Sequence, residues 1–358
     1  MNQSSQRPDM LVFLGRFQPI HNGHMAVIRQ ALEEAPFLMI GIGSANEPRT
    51  VRNPFTSAER EMMIRRCLTG EENKRVICMP IEDSSYNTND WIERVQVAAD
   101  TAMTLLGITT AISGRKPAVS LIGHSKDHSS FYLKLFPQWE SINVDNYLGL
   151  SATRFRDFYF SDEEETVDLA LDEDREDLPI GVIRFLESFM NEPAYLALVE
   201  EQAFYDYYKT IWKSAPYAPI FVTTDAVVVC GGHVLLIERK AHPGRGLWAC
   251  PGGFLEQNEY IIDGIIRELR EETGLKVPTP VLKASMVGLP RVFDAPFRSL
   301  RGRTITNAQL FVLNDTTLPK VAGGDDASKA RWVPLAEVKR ENMFEDHFHL
   351  VNTMVRGV

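Results

Sequence analysis

Between residues 10 and 145, five short strand-like runs alternate with stretches of helical spacing: MLVFLG (10–15) and FLMIGIG (37–43), both continuously apolar, then RVICMP (75–80), AVSLIG (118–123) and SINVD (141–145). No other feature constrains the fold as much. Short continuous apolar runs suit strands buried on both faces, and parallel strands need a crossover that a helix supplies. The spacing predicts one helix over 22–35, with Met25, Ile28 and Leu32 on one side. A second opens on the capping box of Thr56 and Glu59 and runs to about residue 68, and a third covers 91–106. The expectation is an α/β domain with a parallel, doubly wound sheet.

The pattern then changes. Residues 162–177 hold ten acids and one arginine, a local charge of −9 that accounts for most of the net −10. The rest is close to neutral, which argues against a broad nucleic-acid surface, and the acidic run reads as a solvated segment. Residues 180–213 have helical spacing, with Phe185, Phe189, Tyr195, Phe204, Tyr208 and Trp212, and SAPYAP (214–219) ends them with two prolines. IFVTTDAVVVC and HVLLIERK follow as two strands around a Gly231–Gly232 turn. Further strands are expected at 281–287, 304–313 and 330–333, with helix only in the glutamate-rich segment and the last residues. This is an α+β pattern. The expected organisation is a first domain at 1–185, a helical connection at 186–216 and a second domain at 217–358. A chain of 358 residues is long enough for two such cores.

Cys67, Cys78, Cys230 and Cys250 form no C-x-x-C pair, so they are expected to be reduced, in a cytoplasmic protein. The opening MNQSSQRPDM lacks the apolar run of a signal peptide, and no segment has the length of a membrane span. The sequence does not give the oligomeric state; a homo-oligomer is compatible with it.

The stretch PGGFLEQNEYIIDGIIRELREETGL (251–275) sets five glutamates into an otherwise apolar-sided helix. Glu268 and Glu272 lie about 40° apart around that helix, with Glu271 on the adjoining side. Like charges this close destabilise an ordinary surface helix. A hard divalent cation reverses the sign, and the preceding glycines allow close backbone approach. The physical reading is a Mg2+ site, with Mn2+ as the alternative, that grips a phosphate or diphosphate. GRFQPIHNGH (15–24) makes the matching case for an anion. A strand–loop–helix junction there places Arg16, His21, His24 and the helix N–H groups where a phosphate would dock. Gly23 permits close approach.

The glutamate segment resembles the Nudix box, G-x5-E-x7-R-E-U-x-E-E-x-G-U. Gly253, Glu259, Arg267, Glu268, Leu269, Glu271, Glu272, Gly274 and Leu275 fill every defined position. The resemblance implies that Glu268, Glu271 and Glu272 are metal ligands, with Glu272 also catalytic. It makes Gly253 a carbonyl ligand, and Glu259 and Arg267 orienting partners. Arg239, Arg301 and Arg303 are expected to bind substrate, near Arg291, Arg298, Phe293 and Phe297. Asp326, or its neighbour Asp325, is the candidate general base or outer ligand, and Pro290 resembles a feature of the ADP-ribose-cleaving subfamily.

The HNGH stretch resembles the H-x-G-H signature of nucleotidyltransferases with a Rossmann-like fold, over roughly 10–180. SATRFR supplies Ser151, Thr153 and Arg156 of their second motif, with Ala152 in place of a small hydroxyl residue. GSANEPRTVRNPFTSAER (43–60) and DWIERV (90–95) are similar to archaeal NMN adenylyltransferases. GHSKDHSSFYLKLFPQW (123–139) is similar to bacterial relatives fused to a Nudix domain. The whole chain therefore resembles the bifunctional NMN adenylyltransferase/Nudix hydrolase family. The implied roles are catalysis by His21, His24, Arg16 and Arg156, and substrate binding by Phe17, Ser44, Arg52, Asn53, Ser151 and Thr153. Trp91 would stack on the nicotinamide pyridinium. The implied ligands are ATP, NMN, NAD and ADP-ribose, with no nucleic acid and no membrane. The alternatives are a Nudix half that cleaves NADH or another dinucleotide, or one that only senses ADP-ribose. For the first half the alternative is an H-x-G-H transferase acting on pantetheine phosphate.

Overall fold

Five strands, β1 (Met10–Gly15), β2 (Phe37–Ile42), β3 (Val76–Pro80), β4 (Val119–Gly123) and β5 (Glu140–Asn143), form an all-parallel sheet in the order β3-β2-β1-β4-β5. The computed structural model describes residues 7–109, 115–123, 132–144, 150, 152–161, 176–314, 317–324 and 327–357. The chain divides into two units, Met1–Glu200 and Glu201–Val358.

In the first unit, β1 pairs with β2 from Met10↔Phe37 to Gly15↔Ile42 and with β4 on its other side. The strand order reverses between β1 and β4, which is where open α/β sheets place ligands. Helices α1 (Asn22–Glu34), α2 (Ser57–Arg66), α3 (Gly70–Arg75) and α4 (Thr88–Leu105) connect the strands. The Thr56–Glu59 capping box is present, and Arg49 holds the Glu59 carboxylate with both guanidinium nitrogens at 2.7 and 2.8 Å. One core layer joins Met10, Val12, Met39 and Leu121 to Val95, Ala99 and Ala102 of α4. Helix α5 (Ala152–Tyr159) and helix α6 (Ile180–Phe189) follow. Phe185 and Phe189 of α6 pack edge-on against Phe55 at 5.5 and 5.2 Å, so part of the stretch expected to be a connection belongs to this unit's core. Helix α7 (Pro193–Trp212) comes next.

The second unit is built on a mixed sheet whose main path is β10-β11-β6-β7-β12. Its strands are β6 (Ile220–Cys230), β7 (His233–Arg239), β10 (Met286–Phe293), β11 (Arg303–Leu313) and β12 (Ala327–Pro334). The short strands β8 (Trp248–Ala249) and β9 (Gly252–Phe254) pair with β7 and β6. Gly231 and Gly232 make the β6–β7 turn at φ 52° and 75°, a conformation glycine adopts without penalty. Alternate residues of β6 feed opposite layers. Ala226 and Val228 pack on Ile265 and Leu269 of helix α8 (Ile261–Thr273), and Val227 packs on Met343 and on Val351 of helix α10 (His347–Arg356).

The strand expected at 281–287 is corrected. Residues Thr279–Ala284 form a short helix, α9, and the strand begins at Met286. Proline at the first turn favours the helix, because its missing N–H costs nothing there. Ser151, Asp325, Asp326 and residues 162–175 lie outside the described residues. Among the described residues no helix is long and apolar enough to cross a membrane.

Candidate active sites

In the first unit a cavity of about 450 Å³ opens at the C-terminal ends of β1, β2 and β3. Leu14, Gly15 and Arg16 line it from β1, Gly43, Ser44 and Arg52 from beyond β2, and Asp83, Trp91 and Tyr132 complete the wall. The order β3-β2-β1-β4 brings these distant segments together. Ser44 donates to Asp83 through both its backbone N–H (3.2 Å) and its hydroxyl (2.6 Å), and adopts φ 48°. Burial lowers the pKa values of Arg16 and Arg52, and Asp83 opposes the shift at both. Asp83 was not singled out by the sequence; it belongs to no motif, and only the sheet order reveals it.

His21 caps α1 and His24 lies in its first turn. The rings are 3.7 Å apart between centroids, and the His21 backbone N–H donates to His24 Nδ1 at 3.2 Å. An accepting Nδ1 leaves the His24 proton on Nε2. Phe17, at φ 52°, is buried edge-on against the His24 ring at 4.9 Å.

Two buried arginines secure these loops. Arg60 donates to the carbonyls of Arg16 (2.7 Å), Gly43 (2.6 Å), Ser44 (3.2 Å) and Thr56 (3.2 Å). Arg156 donates to the carbonyls of Gln18 (2.6 Å) and Val51 (3.1 Å) and to the Thr153 hydroxyl (3.2 Å). Burial pulls both guanidinium pKa values down to about 10. The structure thus turns Arg156 onto the loops around it. His21, His24, Phe17, Asn53 and Thr153 stand outside the cavity wall, while Arg16, Ser44, Arg52 and Trp91 are in it.

The second unit holds a cavity of about 420 Å³. Glu268 and Glu272 of α8, Gly252 and Gly253 of β9, Asp225, Arg239, Arg298, Arg301, Glu345 and His347 are among its walls. The α8 carboxylates are not equivalent. Arg267 donates to Glu259 (2.8 Å), Glu268 (2.8 Å) and Glu271 (2.9 Å), and to the Phe254 carbonyl (3.2 Å). These bonds, Glu259 first, raise the Arg267 pKa. The expected mutual repulsion of three carboxylates is therefore relieved at Glu268 and Glu271, because Arg267 sits one residue before the first and one helical turn before the second.

Glu272 is different. It is buried and accepts the Gly252 N–H at 2.8 Å. Burial pushes its carboxyl pKa up to about 8, Glu268 adds to the rise, and Arg239 offsets it only in part. At Gly253 a Cβ would stand 2.5 Å from Glu268 Oε1, so a side chain there would displace that carboxylate from the cavity wall. Gly274 ends α8 in the left-handed region at φ 58°. Ala322 and Gly324 then donate to the carbonyls of Thr273 and Glu272 at 2.9 and 3.0 Å, which seals the helix end.

Among the described residues no three carboxylate, imidazole or thiol groups converge as a metal site. Glu268 and Glu272, beside the Gly252–Gly253 backbone, are nonetheless hard oxygen donors in one wall, and burial raises both pKa values, Glu272 most. That donor set fits a divalent cation, which would stabilise the ionised carboxylates that burial disfavours. Glu271 reaches Arg267 and does not line the cavity. Arg301 lines it, whereas Arg303 donates to the Asp294 carbonyl outside it. Arg298 lies buried in the wall, paired through Nε (2.9 Å) and Nη2 (2.7 Å) with Asp346, the residue that precedes α10.

Comparison with known proteins divides the chain between two families. The model for cytidylyltransferase-like domains matches residues 12–156, and that for the NUDIX domain matches 221–354. A nicotinamide/nicotinic acid mononucleotide adenylyltransferase of Acinetobacter baylyi is 35% identical over 194 residues, 54% of this chain and 93% of that protein. A nicotinamide-nucleotide adenylyltransferase of Halobacterium salinarum is 45% identical over 84 residues, 24% of this chain and 46% of that protein. A crystal structure of a bifunctional NMN adenylyltransferase/ADP ribose pyrophosphatase from Francisella tularensis, complexed with AMP and a manganese ion, is 33% identical with a TM-score of 0.86. It covers 98% of this chain and 99% of that one.

Proposed function

The chain belongs to the family of bifunctional NMN adenylyltransferase/ADP ribose pyrophosphatases, and we propose that it carries both activities. The first unit joins NMN to the adenylyl group of ATP, giving NAD and pyrophosphate. The second hydrolyses ADP-ribose to AMP and ribose 5-phosphate. The observation that carries this reading is that each unit has its own cavity with charged groups in its wall, Arg16 of the basic segment in one and Glu268 and Glu272 in the other.

The transfer needs no nucleophilic side chain, because the NMN phosphate is already an anion. The protein must align it and stabilise the leaving pyrophosphate. Arg16, Arg52, His21 and the His24 Nε2–H serve that end, and Trp91 offers an indole face to the pyridinium. Arg60 and Arg156 act through the loops they hold. In the second unit Glu268, Glu272 and the Gly253 carbonyl would hold Mg2+, or Mn2+ in its place, and Glu271 would join them on leaving Arg267. When bound, such a cation neutralises the diphosphate and makes a water acidic enough to attack at neutral pH. Arg239 and Arg301 orient the diphosphate, and Arg267 and Glu259 keep Glu268 in place. Four free cysteines suit a reducing, cytoplasmic setting.

The test is product analysis on one preparation of the full chain. NMN with ATP should yield NAD and pyrophosphate. ADP-ribose with Mg2+ should yield AMP and ribose 5-phosphate, faster than NADH or other dinucleotides are cleaved. A failure in either half sinks that half of the reading alone.

A further inference from the structure

The cavity of the second unit contains an imidazole that the glutamate signature does not include. His347 opens α10, is buried, and lines the cavity with Asp225, Cys250, Glu272 and Arg298. The Cys250 backbone N–H donates to its Nδ1 at 3.0 Å. A nitrogen that accepts an amide proton carries none of its own, so the neutral ring must hold its proton on Nε2. Protonating Nδ1 would set two hydrogens against each other on the line between Cys250 and His347.

The surroundings agree. Burial lowers the His347 pKa, Arg298 and Arg239 act in the same direction, and Asp225 and Asp346 oppose them. Asp225 Oδ1 is 3.8 Å from Nδ1, too far to compete for it, and the other Asp225 oxygen accepts the Thr306 hydroxyl. The ring therefore has no lone pair to offer: one nitrogen is occupied by Cys250 and the other is protonated. A general-base role for His347 is closed by this geometry, and a donor role is open.

We propose that His347 is a substrate-contacting residue of the hydrolase site, a neutral donor whose Nε2–H bonds a non-bridging oxygen of the bound diphosphate. This rests on the ADP-ribose reading of the cavity. The anion is the favoured acceptor because Arg239 and Arg301 share the wall. A neutral donor adds to them without the mutual repulsion a further cation would bring to a wall that also holds Arg267 and Arg298, each paired with carboxylates. No proton is transferred; the bond orients the diphosphate and stabilises charge on it.

The experiment compares His347→Asn and His347→Gln in the full chain. Asparagine places an amide oxygen near the position of Nδ1, so the Cys250 N–H keeps an acceptor while the far donor is lost. Glutamine places an amide N–H near the position of Nε2. With Mg2+, H347N should lower kcat/KM for ADP-ribose by roughly 10- to 100-fold, the cost of one hydrogen bond to an anion. H347Q should recover a large part of that loss. NAD synthesis and the melting temperature of H347N should match the parent, and the 15N spectrum of the parent should show His347 protonated on Nε2 alone. Wild-type protein that releases no AMP from ADP-ribose sinks the functional reading. Wild-type hydrolysis with an unchanged rate in H347N overturns the donor role and leaves that reading intact. Equal loss in both variants with early melting, or a proton on Nδ1, also overturns it.

Discussion

Replacing Glu272 with glutamine is expected to strengthen the metal-free fold while abolishing ADP-ribose hydrolysis. The carboxyl is buried, and its pKa rises from 4.5 to about 8. An acid whose pKa is raised by folding costs nothing below its unfolded value. The cost then grows with pH until the folded value is passed. At about 1.4 kcal/mol per pH unit, the ceiling is about 3 kcal/mol at pH 7 and about 5 kcal/mol above pH 8. Glutamine keeps an acceptor for the Gly252 N–H and cannot ionise. The variant should therefore match the parent near pH 4.5 and exceed it increasingly as pH rises, by roughly 1–3 kcal/mol at pH 7, or several degrees of melting temperature for a unit of this size. Thermal melts in chelator at pH 5, 7 and 8.5 measure the gap, and AMP release with Mg2+ measures the activity. Mg2+ should raise the melting temperature of the parent far more than that of the variant. A gap that does not grow with pH, or a variant that cleaves ADP-ribose at the parent rate, would refute the account of Glu272 as a buried carboxyl whose ionised form a cation would stabilise.

Three further outcomes are expected. His24→Ala should remove most NAD synthesis and leave ADP-ribose hydrolysis at the parent rate; NAD formation within a few-fold of the parent would end the phosphate role of His24. Trp91→Ala should raise KM for NMN well above any change for ATP, since an indole–cation contact contributes about 0.5–2 kcal/mol; equal changes for both would point to lost packing against Phe136, whose ring is 6.0 Å away. Arg298→Ala should destabilise the second unit by roughly 3–5 kcal/mol, because it removes the buried guanidinium that pairs with the buried Asp346 carboxylate; a melting curve superposable on the parent's would contradict this.

The parts of the molecule that were legible in the sequence are those with local, repeating or fixed-spacing signals. The runs at 10–15, 37–43 and 118–123 appear as β1, β2 and β4 because a strand buried on both faces needs continuous apolar residues, whereas the edge strand β5 is largely exposed and carries Glu140, Ser141 and Asn143. The Thr56–Glu59 box and the Gly231–Gly232 turn are read from a few adjacent side chains. The strand expected at 281–287 fails over 281–284 because Val281 and Leu282 look strand-like, although Pro278 and Pro280 are the available signal for a helix start; it holds at Met286 and Val287. Of the residues that line the two cavities, Glu268, Glu272, Gly253 and Arg16 were legible because a fixed-spacing motif contains them. Asp83, Glu345 and His347 were missed, since each reaches its cavity through long-range topology and has no neighbours that mark it. Arg267 was legible as a partner of the glutamates, but its grip on Glu268 and Glu271 depends on rotamers that spacing does not dictate.

The guanidinium of Arg60 collects carbonyls from the turn after β1, the turn after β2 and the cap of its own helix. Segments far apart in the chain are thereby made one mechanical part. Loop grafting between relatives should respect this: a donor loop carrying Arg16 will seat only if the Gly43–Ser44 turn and an arginine at position 60 travel with it. The unit of exchange in this fold is the set of backbone oxygens that one cation can hold, and it cuts across the boundaries of strands and helices.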